Sequence, residues 1–220
     1  MKSMVRLMIA SCFLVLSVAA GYGQAAVPGG QIKLPEPKYD GNVSVEKALK
    51  ERRSLRVYKD SPLSVAEVSQ VLFAAQGITE SGRGLKTAPS ARAQYFLTVY
   101  LFAGNVTGLK PGMYRYVPQG HSLVLVAEGD AKGRLYKAAG QSPIQKAPAA
   151  LIIAGAQDRA TNAGWMYLEA GHAAQNVYLQ CVPLGLGTVV MAGFNAEAVG
   201  EAVNLPGGEK TLYIMPVGRK

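Results

Sequence analysis

Three short segments of this chain concentrate the residue types that can do chemistry. In the first, Arg52-Arg53-Ser54-Leu55-Arg56-Val57-Tyr58, three guanidinium groups and a hydroxyl fall within five residues. Guanidinium groups present their donors in a fixed fork and make charge-assisted bonds to phosphate oxygens. Positive residues also suit the end of a helix, where they face its negative pole. That second account covers Arg52 and Arg53 better than Arg56 beyond a serine, so on this segment alone both readings stand. The second segment, Lys86-Thr87-Ala88-Pro89-Ser90-Ala91-Arg92, runs directly into an apolar stretch. Loops at strand ends carry binding groups because the sheet holds them still, although a turn built by Pro and Ser is the simpler account in isolation. The third is Leu184-Gly185-Leu186-Gly187-Thr188. Glycines let a backbone approach a flat ring or a phosphate. The order, helix then glycines then strand, is the reverse of a dinucleotide fingerprint, and a helix end with a turn covers it taken alone.

A fourth set is spaced on one helix: Glu169, His172 and Asn176 share a face. With two histidines in the chain and no paired metal spacing, His172 reads as a packing residue rather than a ligand. No nucleophile elbow, no HExxH and no cysteine–histidine pair is present, so no side chain is assigned as a catalytic nucleophile and no metal is expected.

The elements that must position these residues follow from pattern. Residues 1–25 read as a secretory signal peptide: Lys2 and Arg6 precede an apolar run over 7–20, and small residues follow. The run is shorter than the roughly 20 residues a membrane-spanning helix needs. Loss of such a leader removes two positive charges from +9, leaving +7, and leaves Cys181 as the one remaining cysteine. That excludes an intramolecular disulfide in the mature chain, and Cys181, in an apolar helix, reads as buried packing. Residues 26–43, rich in Pro and Gly, read as a linker or arm, and 44–220 as one domain with a real core.

Within that domain Ser44 caps a helix with Val45, Ala48, Leu49 and Arg52 on one face. Ser64 and Glu67 form a capping box for a second helix that presents Val65, Val68, Leu72 and Ala75 and stops at Gly77. Residues 82–92 read as loop. Strands are expected over 95–103, 113–117, 123–127, 150–154, 188–192 and 211–217, and helices over 132–139, 165–182 and 196–203. Helices, then a block of strands, then a long helix among later strands is not the alternation of a doubly wound parallel sheet. The pattern is α+β, with one mostly antiparallel sheet packed against helices. The basic balance carries no stripe interleaved with aromatics, so no nucleic acid is expected as a partner; a phosphate-bearing cofactor is the better use of the charge.

Taken in this order, RRSLRVY, KTAPSAR and YLEAGHAAQNVYLQCVPLGLGTV resemble the landmarks of the FMN-dependent nitroreductase family. The GHAAQN helix and the PSAR loop are similar to its SagB/ThcOx branch, whose better-known members oxidise azoline rings in peptides. The resemblance spans 43–219 and implies a nitroreductase-like fold, a homodimer, and two FMN sites at the dimer interface. It places Arg52, Ser54 and Arg56 at the ribityl chain and phosphate, with Arg53 beside them. Pro89, Ser90, Ala91 and Arg92 would lie beside the isoalloxazine of the other subunit. Gly185, Leu186 and Gly187 would lie along the ring's other side, with Arg219 as a late phosphate contact. Lys86 stands where an arginine is common. The expected function is an exported, periplasmic FMN-dependent oxidoreductase that passes electrons through the flavin, in ping-pong fashion, to or from a small organic substrate. Free nicotinamide cofactors are scarce outside the cytoplasm, so the expected donor is a redox protein, a quinone or the substrate itself. The alternatives are a flavin-binding domain without turnover and a flavin-less binding module of the same fold.

Overall fold

The computed structural model of the protein describes residues 30–160 and 162–220, and the expected leader and its cleavage point lie outside them. The chain begins with β1 (Gln31–Lys33), α1 (Val45–Glu51), β2 (Leu63–Ser64), α2 (Val65–Gln76) and a hairpin of β3 (Ile78–Glu80) and β4 (Leu85–Lys86). Next come β5 (Leu97–Ala103), β6 (Val106–Thr107), β7 (Gly112–Val117), β8 (Ser122–Glu128), α3 (Ala131–Ala139) and α4 (Ser142–Lys146). The last third holds β9 (Ala149–Ala156), α5 (Ala163–Cys181), β10 (Leu186–Thr188), α6 (Ala196–Ala202) and β11 (Glu209–Arg219).

Seven strands form one sheet in the order β1-β8-β7-β5-β9-β11-β10, and each neighbouring pair is antiparallel. The α+β fold with a mostly antiparallel sheet is therefore as the sequence pattern requires. Every residue of β9 (AALIIAGA) is buried, which marks a central strand covered on both faces. β5 alternates its partners, as a strand must. Val99 and Leu101 pack under α2 and α5, with Leu72, Ala170 and Val177. Tyr100 and Phe102 pack on the other side under α3, α4 and α6, with Leu135, Ile144 and Val199. α5 lies close on the sheet because its buried side carries Ala170, Ala173 and Ala174. Met166 of this helix fills the space where a side chain at Gly155 of β9 would stand.

The capping box at Ser64 and Glu67 is formed, and Ser44 caps α1 through its hydroxyl. Four local readings change. Part of the 26–43 arm is an edge strand, β1, paired to β8; three residues with no alternation gave no period to read. The 82–92 loop holds β4 and, at Ala91–Ala93, a 3-10 turn. The strand expected over 188–192 sits earlier, at Leu186–Thr188, with a single further bridge at Met191. Finally, the apolar face expected on α1 is not covered by the described residues: Val45 is 65% and Leu49 53% exposed, and only Ala48 is buried.

The arm is fastened at its far side by a buried histidine. Leu34 N donates to His121 O (3.0 Å), and Ser69 Oγ donates to Pro35 O (2.6 Å). The His121 ring then gives its Nε2 proton to Ser69 Oγ (2.6 Å) and accepts the Tyr116 hydroxyl at Nδ1 (2.8 Å), the neutral tautomer this network assigns. Burial holds the His121 pKa below the ordinary histidine value, against the opposing effects of the Pro35 carbonyl and Glu36. The folded ring therefore stays neutral where the unfolded chain, at about pH 6.5, takes up a proton. Stability from this group is complete above about pH 6.5 and is lost as the pH falls through the lower folded value. Urea unfolding of the wild type is expected to weaken from about pH 7 towards pH 5. His121→Gln should remove part of that slope, and parallel curves for the two proteins would contradict this account.

Candidate functional site

α1 ends at Arg52, whose backbone N–H closes the last turn on Ala48 O, and the chain leaves in extended form. Ser54 then forms a parallel bridge with Thr188 of β10, and Leu55 N donates to Thr188 O (2.9 Å). Gly187 is explained by this approach. A side chain there would overlap Leu55, so its glycine lets the two segments lie together. Gly185 has φ +65° and turns the chain out of α5, while Leu186 is fully buried. Tyr178, near the end of α5, joins the pieces. Its hydroxyl lies 2.9 Å from Ser54 Oγ and accepts Val190 N at 2.9 Å, and the Arg52 guanidinium stands 5.2 Å from its ring centre. Thr188 Oγ1, buried in the same place, has no hydrogen-bond partner among the described residues.

The four expected cations do not share one fate. Arg52 belongs to this cluster through Tyr178. Arg56 is exposed, and no hydrogen bond or ion pair involves it among the described residues. Arg53 turns back onto the helix and donates to Lys50 O (2.9 Å) and Arg52 O (2.7 Å), which is the helix-end role. Arg219 is engaged in a two-point pair with Glu67, at 2.9 and 3.0 Å. Glu67 also accepts Ser64 N and Ser64 Oγ, so the capping box of α2 and the end of β11 form one unit.

The Pro89–Arg92 stretch lies elsewhere, at the start of α5. Arg92, Ala93 and Tyr95 all have left-handed backbones, with φ of 55°, 53° and 49°. Such residues without a glycine cost of order 1–3 kcal/mol each and persist where the surroundings over-determine them. The surroundings here are the three residues spaced along α5. Buried Glu169 accepts Ser90 Oγ (2.7 Å) and Phe96 N (3.1 Å) on one oxygen and Gln76 Nε2 (3.2 Å) on the other. His172 Nδ1 meets Pro89 O at 3.1 Å, and Asn176 Nδ2 donates to Thr87 O at 3.1 Å. Ser90 Oγ in turn accepts Tyr95 N, and the Arg92 guanidinium lies 5.5 Å from the Trp165 ring centre. The set is thus a staple for the loop and not a metal site; among the described residues no cluster could hold a metal.

Glu169, His172 and Asn176 lie on one flank of α5 and Tyr178 on the other, so the helix carries two separate clusters. Tyr178 and the staple were not identified as site residues from sequence. The only signal for Tyr178 was its place in the last turn of α5, just before the Leu184–Thr188 stretch. Burial pushes the Cys181 thiol up to about 12, which fits packing and not a reactive thiolate. A cleft of about 880 Å³ lies between α6 and the start of β11, and none of the residues expected at a site lines it.

Glu169→Ala is expected to cost on the order of 3 kcal/mol, because it strands buried donors. Glu169→Gln, which keeps one acceptor, should cost less. Amide exchange should quicken across 87–96 in both variants before the rest of the sheet; uniform quickening would refute the staple.

The nitroreductase family model matches residues 49–219. A protein of Methanocaldococcus jannaschii whose name places it among the nitroreductases is 40% identical over 197 residues, covering 86% of this chain and 96% of its own. A crystal structure of a Ralstonia eutropha JMP134 protein, also named for nitroreductase, superposes with a TM-score of 0.74 at 29% identity, covering 90% of this chain and 95% of that one. A Clostridium difficile R20291 structure named as an FMN-dependent nitroreductase shares the fold, with a TM-score of 0.55 at 21% identity over 79% of this chain and 86% of that one. With a family model over most of its length and a relative at this identity, the chain belongs to the nitroreductase family.

Proposed function

We propose that the protein is an FMN-dependent oxidoreductase of the SagB/ThcOx type acting on a small organic substrate. The observation that carries this reading is the Arg52–Ser54–Tyr178–Thr188 cluster, which sets a guanidinium and hydroxyls at the junction of α1, α5 and β10. Arg56 stands just beyond it without a partner among the described residues, and the Thr188 hydroxyl is buried and unpaired. Such a donor set fits one terminal phosphate and a polar chain, and the FMN in the name of the Clostridium structure supports that cofactor. When bound, FMN supplies two-electron chemistry, taking electrons from one partner and passing them to another in turn.

This chain's residues bind and orient. Arg52, Ser54 and Arg56 would hold the phosphate end, the backbone of Gly185–Gly187 would lie along the ring, and the Pro89–Arg92 loop of a second copy would close the other side. Two half-sites on opposite flanks of α5 favour such a homodimer. So do the exposed apolar residues Val45, Leu49 and Leu168, which a second copy would cover. The leader-like N-terminus supports work outside the cytoplasm, with a redox protein or a quinone as donor.

The purified protein is expected to be yellow and to release FMN on denaturation. Arg52→Ala and Arg56→Ala should each weaken flavin binding by about 1.5–3 kcal/mol while leaving the melting temperature of the flavin-free protein nearly unchanged. A colourless protein that FMN cannot reconstitute would end the reading. In anaerobic stopped-flow, a quinol or a chemical reductant should bleach the flavin band fast, and NADH and NADPH slowly. Rapid, saturable bleaching by NADPH would return the protein to nicotinamide-driven chemistry.

A further inference from the structure

A second pocket lies at the other end of the sheet from the Arg52–Ser54 cluster. It holds about 200 Å³ and is lined by three cations, Lys86, Arg115 and Arg159, with Gln76, Tyr95 and Thr98 between them. β9 separates the two places. Its Gly155–Ala156 end pairs with Leu97 and Glu209 near the pocket, and its Ala149 end pairs with Val217 near Arg219. Eight extended residues put them on the order of 25 Å apart.

The cations are not balanced by the lining. Among the described residues no ion pair involves Lys86, Arg115 or Arg159, and no carboxylate lines the pocket. Two acids that bond lining residues, Glu169 through Gln76 and Glu209 through Thr98, are already engaged. Glu169 accepts Ser90, Phe96 and Gln76, while Glu209 accepts the Thr98 hydroxyl at 2.7 Å and the Tyr100 hydroxyl at 2.8 Å. Lys86 is fixed in place. Its Nζ donates to Gln76 Oε1 at 2.7 Å and lies 4.9 Å from the Tyr95 ring centre. Burial lowers its pKa; the charge of Glu169 opposes that fall and the charge of Arg159 adds to it. A half-buried, immobilised ammonium beside the Arg159 guanidinium, in a pocket that Arg115 also lines, costs free energy that an anion in the pocket recovers.

We propose that this pocket is a binding site for a compact oxyanion, the phosphate or carboxylate group of a small ligand, held by Lys86, Arg115 and Arg159. The volume is below the 300–1,000 Å³ usual for whole ligands, so it takes one anionic group and not a flavin. Lys86 directly precedes the stapled 87–96 loop and Tyr95 lies within it, so the anion is anchored to that loop.

The site is tested by titrating inorganic phosphate and, separately, succinate into the full chain by calorimetry, with flavin content read by absorbance in the same samples. The chain is used both as purified and saturated with FMN. Saturable binding of phosphate or succinate is expected in both forms. It should weaken on the order of tenfold for each of Arg115→Gln and Arg159→Gln, both outside the core, and remain unchanged in Arg52→Gln. Saturation by phosphate assigns a phosphate ester and by succinate a carboxylate; either supports the site. No saturable binding, binding indifferent to Arg115→Gln and Arg159→Gln, or binding lost in Arg52→Gln overturns it. Because the isotherm is read apart from the flavin, a protein without flavin leaves the result interpretable.

Discussion

The contact on which the rest of this protein depends is that of α5 with the middle of the sheet. A helix can settle this low only if the side chains beneath it are small, and Ala170, Ala173 and Ala174 provide that. The sheet reciprocates at Gly155, whose missing side chain admits Met166. Close packing of this kind leaves little room for a shift in register, since interiors are as dense as molecular crystals. Two clusters hang from the same rod: Tyr178 gathers the end of α1 and β10, while Glu169, His172 and Asn176 grip the 87–96 loop. Their relative placement is thus decided by helix geometry and not by loop conformation.

The gripped loop shows what such a rod is for. Three non-glycine residues in left-handed conformations within four positions would relax if the loop were held only at its ends. A single buried carboxylate prevents it by receiving a hydroxyl, a backbone amide and a side-chain amide together. Energy stored in an awkward backbone is consistent with a loop selected for position.

Much of this was legible in the residues. The eight-residue apolar run of β9, the capping box of α2 and the length of α5 are each local signals strong enough to survive tertiary context, and the α+β class follows from their order. The bridge of Ser54 to Thr188 was not legible, because it joins segments 134 positions apart and neither carries a period of its own. For the same reason Arg53 and Arg219 could not be told from Arg52 and Arg56. Sequence gives the charge, but whether a guanidinium meets a helix carbonyl, a glutamate or open space depends on contacts such as Arg219 with Glu67, across 152 positions. For the glycines the sequence could not show the neighbour: Gly187 lies against Leu55, where a side chain would overlap. Glu169, His172 and Asn176 were correctly grouped on one face, yet their partners are the backbone of a loop some 80 residues earlier, which no spacing rule announces.

The sheet order carries one more consequence, for synthesis. β11 is the last strand of the chain, yet it lies between β9 and β10, both made earlier. Until Glu209–Arg219 arrives, the exposed edge of β9 has no neighbour and β10 has nothing to pair with. A nascent chain of this protein can form hairpins such as β7–β8, but it cannot close its sheet vectorially from the N-terminus. The bridge between Ser54 and Thr188 rests on β10, so it too is completed only when β11 joins. Closing the sheet therefore waits on contacts of long sequence separation, and a chain cut short before Glu209 has no complete sheet.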